Sequence, residues 1–254
     1  MNWDFTLDKY IELCHSIRQL SGEIMTLAQF LKAGQPQGRI VILRHDVDRL
    51  LHRAMDIAEV EANSGIKATY YMRTTRSVFR PAALTQLHQL GHEVGYHYEV
   101  LSKSRGKYQQ AIARFEQELM QFRRIVPVDT ISMHGSPLLP WDNRHLWRYY
   151  DFREYDLLGE AYLSIDYTNV YYFTDTGRSW DAGRYNIRDQ VIGREPEEVV
   201  RTTNDLIAFL KQAPPSPVLI NTHPERWTNN RWAWGISVIS DWGINQVKRL
   251  VVWH

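Results

Sequence analysis

The sequence predicts an α/β fold built on parallel strands, either a barrel or a doubly wound sheet, and two observations carry that expectation. Short apolar runs alternate with helical periodicity from Ile40 to His223, the pattern of consecutive βα units. Residues that carry chemistry recur where those runs end: Asp46 and Asp48, His97, His134 and His223. Parallel α/β folds assemble their sites at the C-terminal ends of strands.

The elements follow in order. Residues 4 to 32 carry helical spacing (Tyr10, Leu13, Cys14, Ile17, then Leu27, Phe30, Leu31), which Gly34-Gln35-Pro36-Gln37-Gly38 breaks. Residues 1–38 thus read as an N-terminal helical cap. Ile40-Val41-Ile42-Leu43 is a buried strand, followed by a helix on Leu50, Leu51, Ala54, Ile57 and Ala58 that ends near Gly65. Lys67 to Met72 reads as the next strand, and Pro81 opens a helix to Leu90. Glu93 to His97 is a third strand, Tyr108 to Ile125 a long amphipathic helix, and Thr130 to His134 a fourth strand stopped by Gly135-Ser136-Pro137. Two strands, Ala161–Ile165 and Val170–Thr174, are expected close together in an irregular section. A helix from Pro196 to Lys211 and a strand from Val218 to His223 complete the pattern. The Trp- and Asn-rich tail is expected to dock through Leu250-Val251-Val252-Trp253.

Composition excludes several classes. A chain of 254 residues, 44% hydrophobic, suffices for one domain with a continuous core. Thirty basic and 29 acidic residues, spread along the chain, leave no electrostatic footprint for nucleic acid or an anionic membrane. No apolar run approaches a membrane span, and the start Met1-Asn2-Trp3-Asp4 lacks the layout of a signal peptide, so a cytoplasmic location is expected. The one cysteine, Cys14, sits among Ile11, Leu13 and Ile17 as a buried helix residue.

The most informative run is Arg44-His45-Asp46-Val47-Asp48. Alternation along a strand sends Asp46 and Asp48 to one side and His45 to the other. Two carboxylates sharing a small volume repel unless a cation or a proton intervenes, so the pair suggests a divalent-metal site with one ligand and one base. A helix N-cap would explain Asp48 but not Asp46. Histidine and carboxylate together form the ligand set of zinc and related ions.

These residues resemble the NodB-type polysaccharide deacetylases, the carbohydrate esterase family that removes N- or O-acetyl groups from sugars. The likeness spans roughly residues 39 to 225 and rests on Arg44-His45-Asp46-Val47-Asp48, Gly91-His92-Glu93-Val94-Gly95-Tyr96-His97 and Leu219-Ile220-Asn221-Thr222-His223. It implies a distorted (β/α) barrel of about seven parallel strands over residues 39–225, flanked by the helical cap and a docking tail at 226–254. It further implies Asp46 as base, Asp48 and His97 as ligands of a divalent metal, zinc by the usual ligand preference, and His223 as general acid. The family's second ligand histidine is absent, Leu101 standing in its place, and His134 is nominated as the substitute. Glu99 is a further candidate ligand or supporting group, Asp175 a candidate partner of His223, and Trp180 and Trp227 candidate walls of a sugar site, all four placed with substrate binding. His92 matches a position that is structural in the family. The implied substrate is an acetylated sugar on a nucleotide or lipid carrier, as in bacterial surface-polysaccharide and lipopolysaccharide O-antigen assembly.

Three other classes compete. A catalytically inactive sugar-binding relative would account for Leu101. A metal-dependent phosphohydrolase would use His45-Asp46 beside a cation, although such sites are built on helices. A serine hydrolase is the weakest, because no Gly-x-Ser-x-Gly elbow occurs.

Overall fold

The computed structural model describes residues 3–20, 22–136, 139–181, 188 and 191–251. In chain order its elements are α1 (Leu7–Gln19), β1 (Glu23–Met25), α2 (Leu27–Lys32), β2 (Ile40–Val47), α3 (Leu51–Asn63), β3 (Thr69–Met72), α4 (Pro81–Gln89) and β4 (Glu93–Tyr98). There follow α5 (Val100–Lys103), α6 (Tyr108–Arg123), β5 (Thr130–Met133), β6 (Gly159–Glu160), β7 (Tyr171–Thr174), α7 (Thr203–Lys211), β8 (Val218–Thr222) and α8 (Arg231–Val251).

All strand pairs are parallel, and the sheet runs β6-β5-β4-β3-β2-β8-β7. That is the order of strands taken in sequence around a barrel, opened between β6 and β7. Tyr162, just beyond β6, lies 6.5 Å ring to ring from Tyr172 of β7, so the two edges face each other across the gap. Seven parallel strands with helices outside them match the expected (β/α) barrel. β1 adds a short parallel ladder to the first half of β2, below the point where β3 joins it.

Every residue of β2 is buried, as expected of a strand covered on both faces. Its outward residue His45 reaches Glu61 of α3 through Nε2 at 2.8 Å and Thr222 Oγ1 through Nδ1 at 2.6 Å. Glu61 also accepts from Tyr70 at 2.6 Å and from Tyr10 of α1, tying α1, α3, β2 and β3 into one buried network. His92 belongs to the same outer layer, accepting the Ala68 N–H at 3.2 Å while Nε2 meets Ala58 O at 3.0 Å.

The inward residues fill the barrel with polar and aromatic groups. Arg44 is fully buried there, 4.4 Å from the Tyr162 ring and 5.2 Å from that of Tyr71. A Cβ on Gly95 would come within 2.3 Å of the Tyr71 ring, so only glycine lets that ring cross β4 inside the barrel. At the opposite end α2 closes the bottom: the Leu27 N–H bonds Thr69 Oγ1 at 2.8 Å, and the Ala28 N–H bonds Glu93 Oε2 at 2.8 Å.

Four element assignments differ from the sequence reading. Residues 4–32 are not continuously helical, because β1 separates α1 from α2. Ala161–Ile165 forms turns rather than a strand: the Glu160 carboxylate accepts the N–H groups of Tyr162 at 2.8 Å and Leu163 at 2.9 Å and curls the chain. The helix expected from Pro196 begins only at Thr203, where Thr202 and Asp205 form a capping box. The tail is a long helix, α8; Val252 and Trp253 lie outside the described residues.

Candidate active site and metal centre

Asp48 follows β2 directly, and His97 and His134 stand at the ends of β4 and β5, neighbours in the ladder. The structure brings these three sequence-nominated ligands together: one ligand atom from each lies within 4.8 Å of the others. His134 Nδ1 is 3.1 Å and His97 Nε2 3.4 Å from Asp48 Oδ1. Ligand atoms on a tetrahedral ion at roughly 2.0–2.1 Å stand about 3.3 Å apart, so both separations fit a shared ion.

The hydrogen bonding points the same way. His97 Nδ1 is 3.0 Å from Ser132 O. A carbonyl can only accept, so His97 Nδ1 carries a proton, and Nε2 is the ring nitrogen turned to Asp48. Asp48 Oδ1 is buried and meets no donor in hydrogen-bond geometry. A buried carboxylate oxygen facing ring nitrogens without a hydrogen bond is an acceptor set in need of a cation. Burial opposes ionisation of Asp48, yet His134 and His97 hold its carboxyl well below the usual range. The residues present therefore fit a divalent ion, with three protein ligands leaving a position open as in catalytic zinc sites. Asp48 does not cap α3, whose N-cap Leu50 makes no side-chain cap bond.

Asp46 is held beside this centre by the strand it sits on. Arg44, two residues earlier and on the same face, donates from Nε at 3.1 Å and from Nη2 at 2.8 Å to its two oxygens. Asn221 Nδ2 adds a bond at 3.2 Å, and Ser132 Oγ steadies Arg44 Nη2 at 2.7 Å. Burial would raise the Asp46 pKa, but Arg44 first, then His97 and His223, bring it below the ordinary value. Asp46 is thus ionised and fixed in place.

His223, at the end of β8, faces a buried aspartate on β7's exit. Its Nδ1 is 2.7 Å from Asp175 Oδ1, its backbone N–H bonds Asp175 Oδ2 at 3.0 Å, and Arg226 Nη1 donates to Oδ1 at 2.6 Å. Burial and Arg226 push the imidazole's pKa down, but Asp175 and Glu225 outweigh them and raise it to about 9. Asp175, despite burial, falls to about 2 under Arg226 and His223. His223 is therefore an imidazolium at neutral pH, the state of a general acid.

The sign of the linkage follows. A histidine of unfolded pKa ~6.5 raised on folding adds stability that is complete below about pH 6.5 and disappears as pH rises through the folded value, here about 9. Asp175 adds stability above an unfolded pKa of ~3.9, lost as pH falls through about 2. Asp175→Asn removes the chief raising influence and leaves Arg226, so the His223 pKa should drop to its ordinary value or below. Imidazole NMR resonances followed against pH read this directly; a value still near 9 would show that Asp175 does not set it.

The four residues grouped with substrate binding, Asp175, Trp227, Trp180 and Glu99, are buried and engaged within the protein. Asp175 is fully buried and bonds His223, Arg226 and the Trp227 indole (Nε1 to Oδ2, 2.9 Å), as the partner of His223 that the sequence offered. Trp227, 1% exposed, packs on Phe5 and Tyr10, and Trp180, 2% exposed, donates to Thr203 Oγ1 at 3.1 Å beside Phe5. Neither indole walls an open site. Glu99 pairs with Arg73 at 2.7 Å and Lys103 at 3.2 Å, and Arg73 Nη1 donates to Asp48 O at 3.4 Å. Glu99 thus holds the guanidinium that bonds the Asp48 carbonyl. Leu101, in place of the family's second histidine, is 1% exposed in the core.

Sequence reasoning assigned no role to Arg44, Arg226 or Glu225. Glu225, two residues past His223, is buried with Oε2 unpartnered, and burial together with Asp48 raises its pKa to about 7. The i, i+2 spacing of Arg44 and Asp46 on one strand face was the only local signal among these. His45, turned outward to Glu61, cannot share a cation with Asp46, which removes the basis of the phosphohydrolase alternative.

No family model matches the chain, and no curated protein does. Among solved structures, the chain is similar to the Xyl-CE4 domain of a multidomain xylanase from the hindgut metagenome of Trinervitermes trinervoides, at 13% identity, covering 82% of this chain and 84% of that one with a TM-score of 0.41. It is also similar to a peptidoglycan N-acetylglucosamine deacetylase in complex with a naphthalenyl N-oxidanyl-benzamide, at 15% identity, covering 84% and 83% with a TM-score of 0.39.

Proposed function

We propose that this chain is a metal-dependent hydrolase that removes an N- or O-linked acetyl group from a sugar. The observation that carries the reading is the convergence at one end of the barrel of three groups: the Asp48–His97–His134 cluster, the Arg44-fixed carboxylate of Asp46, and the Asp175–His223 pair. The motif resemblance supplies the acyl-sugar chemistry.

Asp48, His97 and His134 would hold the ion, zinc by ligand type. When bound, such an ion polarises a carbonyl and acidifies water. Asp46 takes the proton of the attacking water, and Arg44 keeps its carboxylate in place during transfer. His223 gives a proton to the departing amine or alcohol, and Asp175 compensates the imidazolium until then. The required states, carboxylate at Asp46 and imidazolium at His223, coexist between their two pKa values, so turnover should fall as pH rises through about 9.

The finer reading is an acetylated sugar carried on a nucleotide or lipid, handled on the cytoplasmic side during bacterial surface-polysaccharide or O-antigen assembly. Acetate release from a panel of acetylated nucleotide sugars and lipid-linked sugars by metal-loaded protein tests it. His223→Ala should lower turnover by about 10²-fold or more, in the range of a general acid, with metal content unchanged. No acetate from any donor, combined with cleavage of a phosphate ester, would overturn the proposal.

A further inference from the structure

His134 sits where the sheet gives out. The ladder between β4 and β5 closes with the His134 N–H on Tyr98 O at 2.8 Å, because β4 stops at Tyr98 and the chain turns into α5. Two residues after His134, Ser136 takes a left-handed conformation (φ 42°). A ligand at such a point needs support from outside the sheet.

That support is Asn143, which is 0% exposed and opens the short 3-10 helix Asn143–Arg148. Its Nδ2 donates to His134 O at 2.8 Å, and its Oδ1 accepts the Ser102 N–H at 3.0 Å. Ser102 lies in the first turn of α5, where amides have no partner within the helix. One carboxamide thus satisfies a backbone acceptor on the exit of β5 and a backbone donor on α5. The two contacts also fix its orientation: turned over, it would set its oxygen against the His134 carbonyl and its NH2 against the Ser102 N–H. Its neighbours are pinned too. Trp141 O accepts from Ser102 Oγ at 3.4 Å, and Asp142, the N-cap of the same short helix, takes Arg144 Nη2 at 2.7 Å. On the other side of the centre, α5 carries Glu99 at its N-cap, which holds Arg73 against the Asp48 carbonyl. The short helix α5 therefore braces two ligand-bearing exits, β2 through Arg73 and β5 through Asn143.

We propose that Asn143 is a positioning residue that aims the His134 imidazole at the metal ion. Holding the His134 carbonyl sets the direction of its side chain, which places Nδ1 3.1 Å from Asp48 Oδ1 and the ring edge-on to His97 at 5.2 Å between centroids. The inference rests on the reading of Asp48, His97 and His134 as ligands.

Calorimetric titration of zinc into metal-free protein tests it in a cycle of wild type, Asn143→Leu, His134→Ala and the double variant, each held below its unfolding temperature. Leucine keeps the branching of the side chain and removes both hydrogen bonds. Zinc affinity in Asn143→Leu should fall by about 10–100-fold, the effect of losing a group that orients a ligand. In the His134→Ala background the same substitution should cost nothing further, because no imidazole remains to be aimed. Losses that multiply in the double variant would overturn the proposal, as would a lowered melting temperature with wild-type affinity. Should Asn143→Leu fail to fold, Asn143→Asp goes through the same cycle with the same expectations, since its carboxylate still accepts from Ser102 but cannot donate to His134. Wild-type affinity in the Asn143 variant beside weakened binding in His134→Ala would refute the positioning and leave the metal centre standing. Wild-type affinity in His134→Ala would remove His134 from the ligand set and the inference with it. The expected cycle without acetate release would leave the role of Asn143 standing and refute only the deacetylase reading.

Discussion

Asp46→Asn should reduce turnover by about 10² to 10⁴, the usual contribution of a general base, even in protein saturated with metal. The amide keeps the shape of the carboxylate but cannot take a proton from water. The same variant should lose stability, for a reason visible only in the fold. Arg44 is fully buried and its ion-pair partner is Asp46, and stripping one member from a buried pair costs about 3–5 kcal/mol. Activity must therefore be measured below the variant's unfolding temperature, followed by circular dichroism. Adding Arg44→Met removes the uncompensated charge, so the double variant should regain much of the stability and none of the turnover. If turnover returned together with stability, Asp46 would be a structural partner of Arg44 and not the base.

Asp48→Asn should have the other large effect, on metal affinity itself. Loss of a group that merely orients a ligand weakens binding by about 10–100-fold; removing a ligand's charge should exceed that. Asp48 Oδ1 is the atom both imidazoles face, at 3.1 and 3.4 Å. Calorimetric titration of metal-free protein with zinc provides the comparison, and turnover at stoichiometric metal should fall in parallel. Wild-type affinity in Asp48→Asn would remove Asp48 from the ligand set.

Much of the site was legible because it is local or periodic. Alternation along β2 alone sends Asp46 and Asp48 one way and His45 the other, and the structure places them so. His134 could be nominated because a strand end beside another strand end is a short-range consequence of parallel order. What sequence could not supply were partners distant in the chain. Trp180 and Trp227 read as sugar walls until Phe5, Tyr10 and Thr203 were seen to bury them. The turn at 161–165 hides behind an apolar, strand-like composition, because the buried Glu160 carboxylate that bends it acts on the N–H groups that follow. The edge strand β6 has only two residues, too few to show a period. The helix α8, rich in Trp, β-branched and Gly residues of modest helix propensity, reads as a tail, although the spacing of Trp232, Ile236 and Ile239 was there to be counted.

The central claim is that Asp48, His97 and His134 share one divalent ion. Anomalous diffraction from crystals of the protein grown with zinc tests it most directly. The account predicts a peak within about 2.0–2.2 Å of Asp48 Oδ1, His97 Nε2 and His134 Nδ1, with His97 Nδ1 still on Ser132 O. A peak bound elsewhere, or no peak here with Asp48 hydrogen-bonded to protonated His97 and His134, would contradict it.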